Sequence, residues 1–557
     1  MPKRLWVMGL SSLVTAACSS SPVTQPPLAP CTATSGGQVS LGVGAYTTVD
    51  PTQTAGCAVF PANPTGSAIE YLVVPQSASS IPDDSQAFKL GGNPLAAPPA
   101  PGASLAGLSV AQQFDLRLRL AEREFAAQLP RPLRAPPRAP ALVTPVDSGN
   151  VRTFKVCNTL ACDPRNASTL STVTATALKV GTHIAIYVDN AAPQPGLSQM
   201  DLDTLRAVFD TRLYETDTLA FSRESDIDNN GMVIVLMSGK VNSLVTSAQC
   251  TSPTGGFVAG FFFGADLITT PPFATGNAAE IFYSIVPDPA GTLSCTHSVT
   301  GVTHLVPVTF VHEFQHMISF NQHFLLRGNL PEDLWLNEGL SHYAEENGGR
   351  TFLPDTATFC RYAFGDLYNA SQYFTAPQNY VLVDTAGIGG LANRGAYWLF
   401  VRYLVDQIGA TLGSKDSVTR RLDRTTLIGP ANVSNAAGGT AFPTILARWA
   451  LANYVSDLPG FAAPPELQYT TWKFRTDYQT MRTACGTTNL PSVFPLTPAV
   501  VDASSAQVSG MLHAGSASYY RMQHAAGGSK LTLLFSNSAG GALRTTLAPR
   551  LNVIRLQ

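Results

Sequence analysis

The sequence predicts an α+β protein, on three observations. Segments that alternate apolar and polar residues, punctuated by Pro, Gly and Asn, lie near both ends: VSLGVGAY and IEYLVVP at one, SYYRMQ, KLTLLFS and RLNVIRLQ at the other. Between about 146 and 300 such strands are mixed with helical stretches. From 301 to 490 the apolar positions recur at helical spacing over long runs. The 557 residues suffice for roughly two to four domains, and an apolar content of 45% is ample for packed cores.

At the start, Lys3 and Arg4 precede the apolar stretch 5–14 and the small residues Thr15-Ala16-Ala17, the layout of an export signal over 1–17. Small residues directly before Cys18 resemble the lipobox of bacterial lipoproteins, with Thr15 departing from the usual leucine. That resemblance implies a lipid on Cys18 and attachment to the bacterial membrane at the cell envelope. Plain cleavage after Ala17 would instead give a secreted protein. Setting Cys18 aside leaves eight cysteines, an even number suited to disulfides in an oxidising compartment. Pairing neighbours gives Cys31 with Cys57, Cys157 with Cys162, Cys250 with Cys295 and Cys360 with Cys485.

Residues 18–30 are rich in Ser and Pro and read as a tether, 31–80 as a small β domain and 497–557 as a C-terminal β module, so that β-sandwich-like modules are expected at both ends. The span 81–145 is a proline-rich linker interrupted by one helix, 111–129, whose following LPRPLRAPPRAP is basic and stiff. Strands VRTFKV, HIAIYVDN and MVIVLM, a helix at 198–213, and the runs GFFFGADL and AEIFYSIV fill 146–300. Within this part Asp226-Ile227-Asp228-Asn229-Asn230-Gly231 matches the first half of a calcium loop, but Met237 stands where the twelfth position needs an acid, so a plain turn competes with a structural Ca2+ site. A net charge of −2 without a basic face argues against nucleic acid as a partner. No apolar run reaches the roughly 18 residues of a membrane-spanning helix.

The chemistry sits in 311–346, VHEFQHMISFNQHFLLRGNLPEDLWLNEGLSHYAEE. His312 and His316, four apart on a helix, face the same way and can hold one cation. Catalytic zinc takes three protein ligands and leaves a position open, so a third ligand is required. Ser319 and Gln322 stand where a glycine turn and a third histidine would be, and His323 comes one place late. Glu338, in Trp335-Leu336-Asn337-Glu338-Gly339, is the better candidate, because the 21 residues before it can bring a second helix back to the first.

His-Glu-x-x-His with a downstream Asn-Glu resembles the gluzincin zinc metallopeptidases, and HEFQH combined with WLNEGLSHYAEE is most similar to the hyicolysin-type neutral metalloendopeptidases. The resemblance implies a zincin-like domain, with a sheet-containing half at 146–300 and a helical half holding the zinc site at 301–490. It also implies His312, His316 and Glu338 as Zn2+ ligands, Glu313 as general base toward zinc-bound water, and polypeptide substrates. Residue chemistry agrees: Glu313 lies beside the open position, and zinc brings the pKa of bound water to roughly 7.

In such a domain an edge strand takes up an extended peptide, and we expect Glu280 to Val286 to be that edge. Where thermolysin-like members place a carboxylate that orients a zinc histidine, this sequence has His342, leaving Glu345 or Glu346 to substitute. Tyr397, His342, Tyr362 and Tyr380 are candidates for stabilising the oxyanion. An aminopeptidase also shares WLNEG, but its Gly-x-Met-Glu-Asn run has no match in Gly276 to Ile281. An inactive, surface-anchored binding or adhesion protein on the same scaffold is the reading from a different class.

Overall fold

The computed structural model describes residues 26–91, 108–129, 146–252, 255–269, 276–385, 390–409 and 415–557. The export signal, Cys18 and most of the two proline-rich runs fall outside these residues. The fold is α+β, with sheet at both ends of the chain and a helical middle. All four neighbouring cysteine pairs are bonded, with Cα–Cα distances of 5.6, 5.5, 6.0 and 5.6 Å in chain order.

β structure is present at both ends and folds together as one unit, but VSLGVGAY, 39–46, is coil and turn up to Tyr46, where the first strand begins. Strands β1 (Tyr46–Val49), β2 (Cys57–Phe60), β3 (Ile69–Ser77) and β4 (Ser85–Gly91) come from the start of the chain. Next is helix α1 (Val110–Gln128), set by a capping box in which Ser109 and Gln112 satisfy each other's backbone N–H, and followed by Pro130, which cannot continue it.

The sheet of the middle region contains β5 (Val151–Cys157), β6 (Leu170–Val180) and β7 (Ile184–Asp189), then β8 (Val233–Met237), β9 (Gly260–Phe262) and β10 (Ile281–Ser284). Its order is β5-β6-β7-β8-β10-β9. Helices α2 (Gln199–Val208) and α3 (Tyr214–Phe221) connect β7 to the parallel β8. Strand β9 is antiparallel to β10 and forms the sheet's edge. The expectation that 280–286 is the edge is therefore corrected: β10 has β8 on one side and β9 on the other. Both stretches are short apolar runs, and nothing in their alternation separates an edge from its neighbour.

The helical half holds α4 (Val299–Phe320), α5 (Leu334–Arg350), α6 (Thr356–Thr375) and α7 (Leu391–Leu404), with further helices at Lys415–Asp423, Gly429–Ala436, Phe442–Val455 and Phe474–Ala484. Helix α4 starts on Ser298, whose hydroxyl accepts from Gly301 N–H, and lies under the sheet, with Phe310 edge-on to Phe282 at 4.6 Å. Glycines let the neighbouring helices close in. A Cβ on Gly339 would stand 2.8 Å from the Tyr397 carbonyl oxygen, and one on Gly395 2.3 Å from the Asn369 backbone. Hence α5, α6 and α7 approach along backbone rather than side chains.

The last strands, β11 (Ala499–Asp502), β12 (Gln507–His513), β13 (Tyr520–His524), β14 (Leu531–Asn537) and β15 (Pro549–Arg555), complete two sheets, β1-β15-β3-β13-β11 and β12-β4-β14-β2. Nearly every ladder joins a strand from one end of the chain to one from the other. Strand β3 is buried on both faces because successive residues serve two cores. Tyr71 and Val73 pack inside the sandwich, while Leu72 and Val74 pack into the helical half. That explains why IEYLVVP, expected to alternate, carries apolar residues on both faces.

Candidate metal centre

Helices α4 and α5 bring three metal-ligating side chains to one point. His312 Nε2 and His316 Nε2 are 3.2 Å apart, and Glu338 places Oε1 3.2 Å from His316 Nε2 and Oε2 3.8 Å from His312 Nε2. Ligands at ~2.0–2.1 Å from a tetrahedral cation are separated by about 3.3–3.4 Å, so two of the three spacings suit a shared ion and the third is slightly open. Both carboxylate oxygens of Glu338 are buried without a hydrogen-bond donor. Two imidazole nitrogens facing a donor-free carboxylate form a set that a divalent cation satisfies.

The partner on the far side of His312 fixes which of its nitrogens points inward. His312 Nδ1–H donates to Glu345 Oε1 at 2.7 Å, and Ser341 Oγ lies 3.2 Å from both ring nitrogens of His316 while donating to Gln315 Oε1 at 2.6 Å. Of the two glutamates the sequence left open, Glu345 faces the histidine. Glu346 points the other way round α5 and accepts from Arg350 Nε at 2.7 Å, Trp472 Nε1 at 2.9 Å and Trp398 Nε1 at 3.1 Å, with Arg402 at 3.3 Å. His342 supports Glu345 from behind: its Nδ1 lies 3.1 Å from Glu345 Oε1 and 2.9 Å from Asp366 Oδ1.

Burial and charge act in opposition here. Burial pushes His316 down to about 4 and Glu313 up to about 7. Burial also works against the charge on Glu338, but Arg394 and the two imidazoles hold it well below the usual carboxylate range. Glu345 is likewise held down at about 2, against burial, by His342 and His312.

Glu313 sits one residue round the helix from His312, and its Oε2 accepts from Phe262 N–H on β9 at 2.9 Å. The edge strand thus runs beside the His and Glu group. No motif in the sequence marks Arg394, 56 residues from Glu338, yet its Nη1 comes within 3.5 Å of Glu338 Oε2. Helix α1, whose sequence carries no motif either, also reaches this site. Its Asp115 pairs with Arg394 at 2.6 Å, and Gln112, Asp115 and Leu116 close a narrow cavity against Glu338, Arg394 and Tyr397.

The other sequence candidates have partners of their own, Tyr397 while lining the cavity just described. His323 is buried with Glu332 at 3.7 Å and Asp423 at 4.0 Å. Tyr397 donates to Asp384 at 2.7 Å, Tyr362 stacks on Phe352, and Tyr380 lies against Tyr373. In the calcium-like turn, Asp226, Asp228 and Glu280 bring ligand atoms within 4.8 Å of one another. Glu280 adds, from just before β10, an acid that the linear motif lacks; it is fully buried and its Oε2 has no hydrogen-bond partner.

No family model matches the chain. Over 138 residues it is 28% identical to the neutral metalloprotease ShpI of Staphylococcus hyicus, a match that covers 25% of this chain and 28% of that protein. The chain therefore spans under a third of that relative's length. The likeness supports a metalloprotease relationship, and together with the His and Glu groupings it points to a metal. Among the described residues no helix is long and apolar enough to cross a membrane.

Proposed function

We propose that this chain is an exported, zinc-dependent endopeptidase of the gluzincin arrangement, hyicolysin-like in its pairing of HEFQH with WLNEG. The observation that carries the reading is the convergence of His312, His316 and the donor-free carboxylate of Glu338 beside Glu313 and an edge strand. Zinc, when bound by His312, His316 and Glu338, supplies a Lewis acid that makes water acidic enough to act near neutral pH. Glu313 takes the proton from the attacking water and passes it to the departing amine. Glu345 holds the His312 imidazole with Nε2 inward, and Ser341 lies against the His316 ring. Strand β9 offers backbone groups to an extended peptide, and Arg394 places a fixed positive charge next to Glu338.

The test is Glu313→Gln. Cleavage of casein is expected to fall by at least roughly a hundredfold, while zinc content and melting temperature stay near those of the parent. Casein cleavage surviving in the variant refutes the general-base assignment. Peptides with blocked and free N-termini separate an endopeptidase from an aminopeptidase: cleavage confined to free amines rejects the first. Four cysteine pairs suit an oxidising compartment. A lipid on Cys18 completes the reading and predicts that Cys18→Ser moves the protein from membrane to soluble fractions.

A further inference from the structure

Helix α1 spans the cleft between the sheet and the helical half. On the sheet side, Arg119 Nη2 donates to the Phe262 carbonyl at 2.5 Å and Glu122 Oε1 accepts from Gly264 N–H at 2.7 Å. Phe114 stands edge-on to Phe261 at 5.1 Å. On the helical side, Asp115 pairs with Arg394 at 2.6 Å, and Arg123 reaches Asp333 at 3.0 Å and the Glu332 carbonyl at 3.0 Å. Asp333 directly precedes α5, yet its side chain makes no capping bond to that helix.

The backbone groups that α1 takes are the ones an added strand needs. Phe262 lies opposite Phe282 in the antiparallel pair. Its N–H goes to Glu313 and its C=O to Arg119, so both aim away from β10, as they do at a residue of a non-hydrogen-bonded pair. Beyond them the sheet has no further strand among the described residues. An extended peptide would fill this edge with its own backbone; α1 fills it with Arg119 and Glu122. These two residues are 4% and 2% exposed and pair with each other at 3.0 Å, and Arg119 interacts electrostatically with Glu313 and Glu338. Under the helix, His312, Glu313, His316 and Glu338 are only 8%, 6%, 1% and 2% exposed. In sequence, α1 hangs between two proline-rich runs, 92–107 and 130–145, of linker composition.

We infer that α1 is an intramolecular inhibitor, a segment of this chain seated in the peptide cleft, whose displacement opens the edge strand and the metal site to substrate. The inference rests on the peptidase reading for what the cleft does, but its geometry does not depend on that reading.

The experiment uses the full chain loaded with zinc. Arg119→Glu puts like charge beside Glu122, Glu313 and Glu338 and removes the bond to Phe262. The control is Leu120→Ser, at a side chain 43% exposed on the outer face of α1. Two quantities are measured: the rate at which a chromophoric chelator strips the zinc, and the rate of casein cleavage. In Arg119→Glu both are expected to rise at least roughly tenfold, the effect of breaking one buried charge pair in a docked surface, with Leu120→Ser unchanged. A synthetic peptide of residues 108–129 is expected to bring the Arg119→Glu rates back toward the parent.

Equal stripping rates in parent and a folded Arg119→Glu overturn the inference, even if both cleave casein. Faster stripping with no cleavage by any form upholds α1 as the cover of the metal site and sinks the peptidase reading instead. Should Arg119→Glu fail to fold, the pair Asp115→Asn with Arg123→Ala, at the other lip of the cleft, must show the same acceleration or the inference falls.

Discussion

Glu345 and Glu346 are adjacent on α5, and the structure gives them opposite tasks that a metal-affinity measurement can separate. Glu345 Oε1 receives His312 Nδ1–H at 2.7 Å in a buried setting, which leaves Nε2 for the proposed metal and stiffens the ring. Removing a carboxylate in this position typically costs 10–100-fold in metal affinity, which is about 1.4–2.7 kcal/mol. Glu345→Ala should therefore weaken zinc binding by that factor, and Glu345→Gln by less, since an amide oxygen can still accept the bond. His342 retains Asp366 at 2.9 Å, so the helix itself should survive. Glu346 contacts neither histidine. It balances Arg350 and Arg402 and accepts from two tryptophans. Glu346→Gln should cost roughly 3–5 kcal/mol of stability, the range for breaking a buried ion pair, while moving zinc affinity less than about twofold. Competition against a chromophoric chelator reads the first quantity and chemical denaturation the second. If zinc affinity follows Glu346 rather than Glu345, the orientation argument is refuted.

Other expectations can be checked in the same preparations. Gly339→Ala sets a methyl 2.8 Å from the Tyr397 carbonyl, so α7 must shift; a loss of roughly 1–3 kcal/mol and reduced casein cleavage are expected, and an unchanged melting curve rejects the close-approach argument. Burial pushes Glu332 up to about 8, in company with His323, Asp333 and Asp423. The folded state then holds a proton that the unfolded chain releases at its lower, ordinary pKa, so stability falls as pH rises from that value through about 8. Melting curves across pH 5–9 should show part of this fall vanish in Glu332→Gln. Millimolar calcium should raise the melting temperature of the parent but not of Glu280→Gln, because Glu280 contributes the buried carboxylate of the Asp226 and Asp228 group; equal shifts in both proteins reject calcium there.

Local patterns made much of this molecule legible. The His312 and His316 spacing is a helical periodicity, so the sequence alone placed both on one face, and the loop length was enough to suggest Glu338. Helix α1 was legible from Phe114, Leu116, Leu118, Leu120 and Phe125 set among Arg and Glu, and the expected 111–129 lies within one residue of the observed helix at each end. Long-range placement was not legible. Nothing in 111–129 says that Arg119 meets Phe262, 143 residues away. Arg394 lacks a motif because its role comes from α7 crossing α5 at Gly339, a contact between backbones. Strand β6 escaped because LSTVTATALKV is rich in Thr and Ala, with weak alternation on its exposed positions. The terminal segments looked like separate modules because each carries sound strand patterns, and hydrogen-bond partners leave no trace in a single strand's residues.

That pairing constrains how α1 can leave. Strands β1 and β3 are bonded to β15, β3 also to β13, β4 to β12 and β14, and β2 to β14. Hydrolysis in 92–107 would free one end of α1, yet the strands before the cut would stay held in the sandwich by their ladders, and α1 would remain tethered through 130–145. A tethered helix keeps a local concentration on the order of millimolar at the cleft. One cut should therefore activate weakly, and two cuts, one on each side, should release α1 and activate fully. Limited proteolysis followed by size exclusion and mass spectrometry distinguishes the cases: the fragment beginning near Cys31 should co-elute with the main body after either cut, and activity should follow loss of the 108–129 peptide. Activity that instead follows loss of the N-terminal strands would show that the sandwich, not α1, governs access to the cleft.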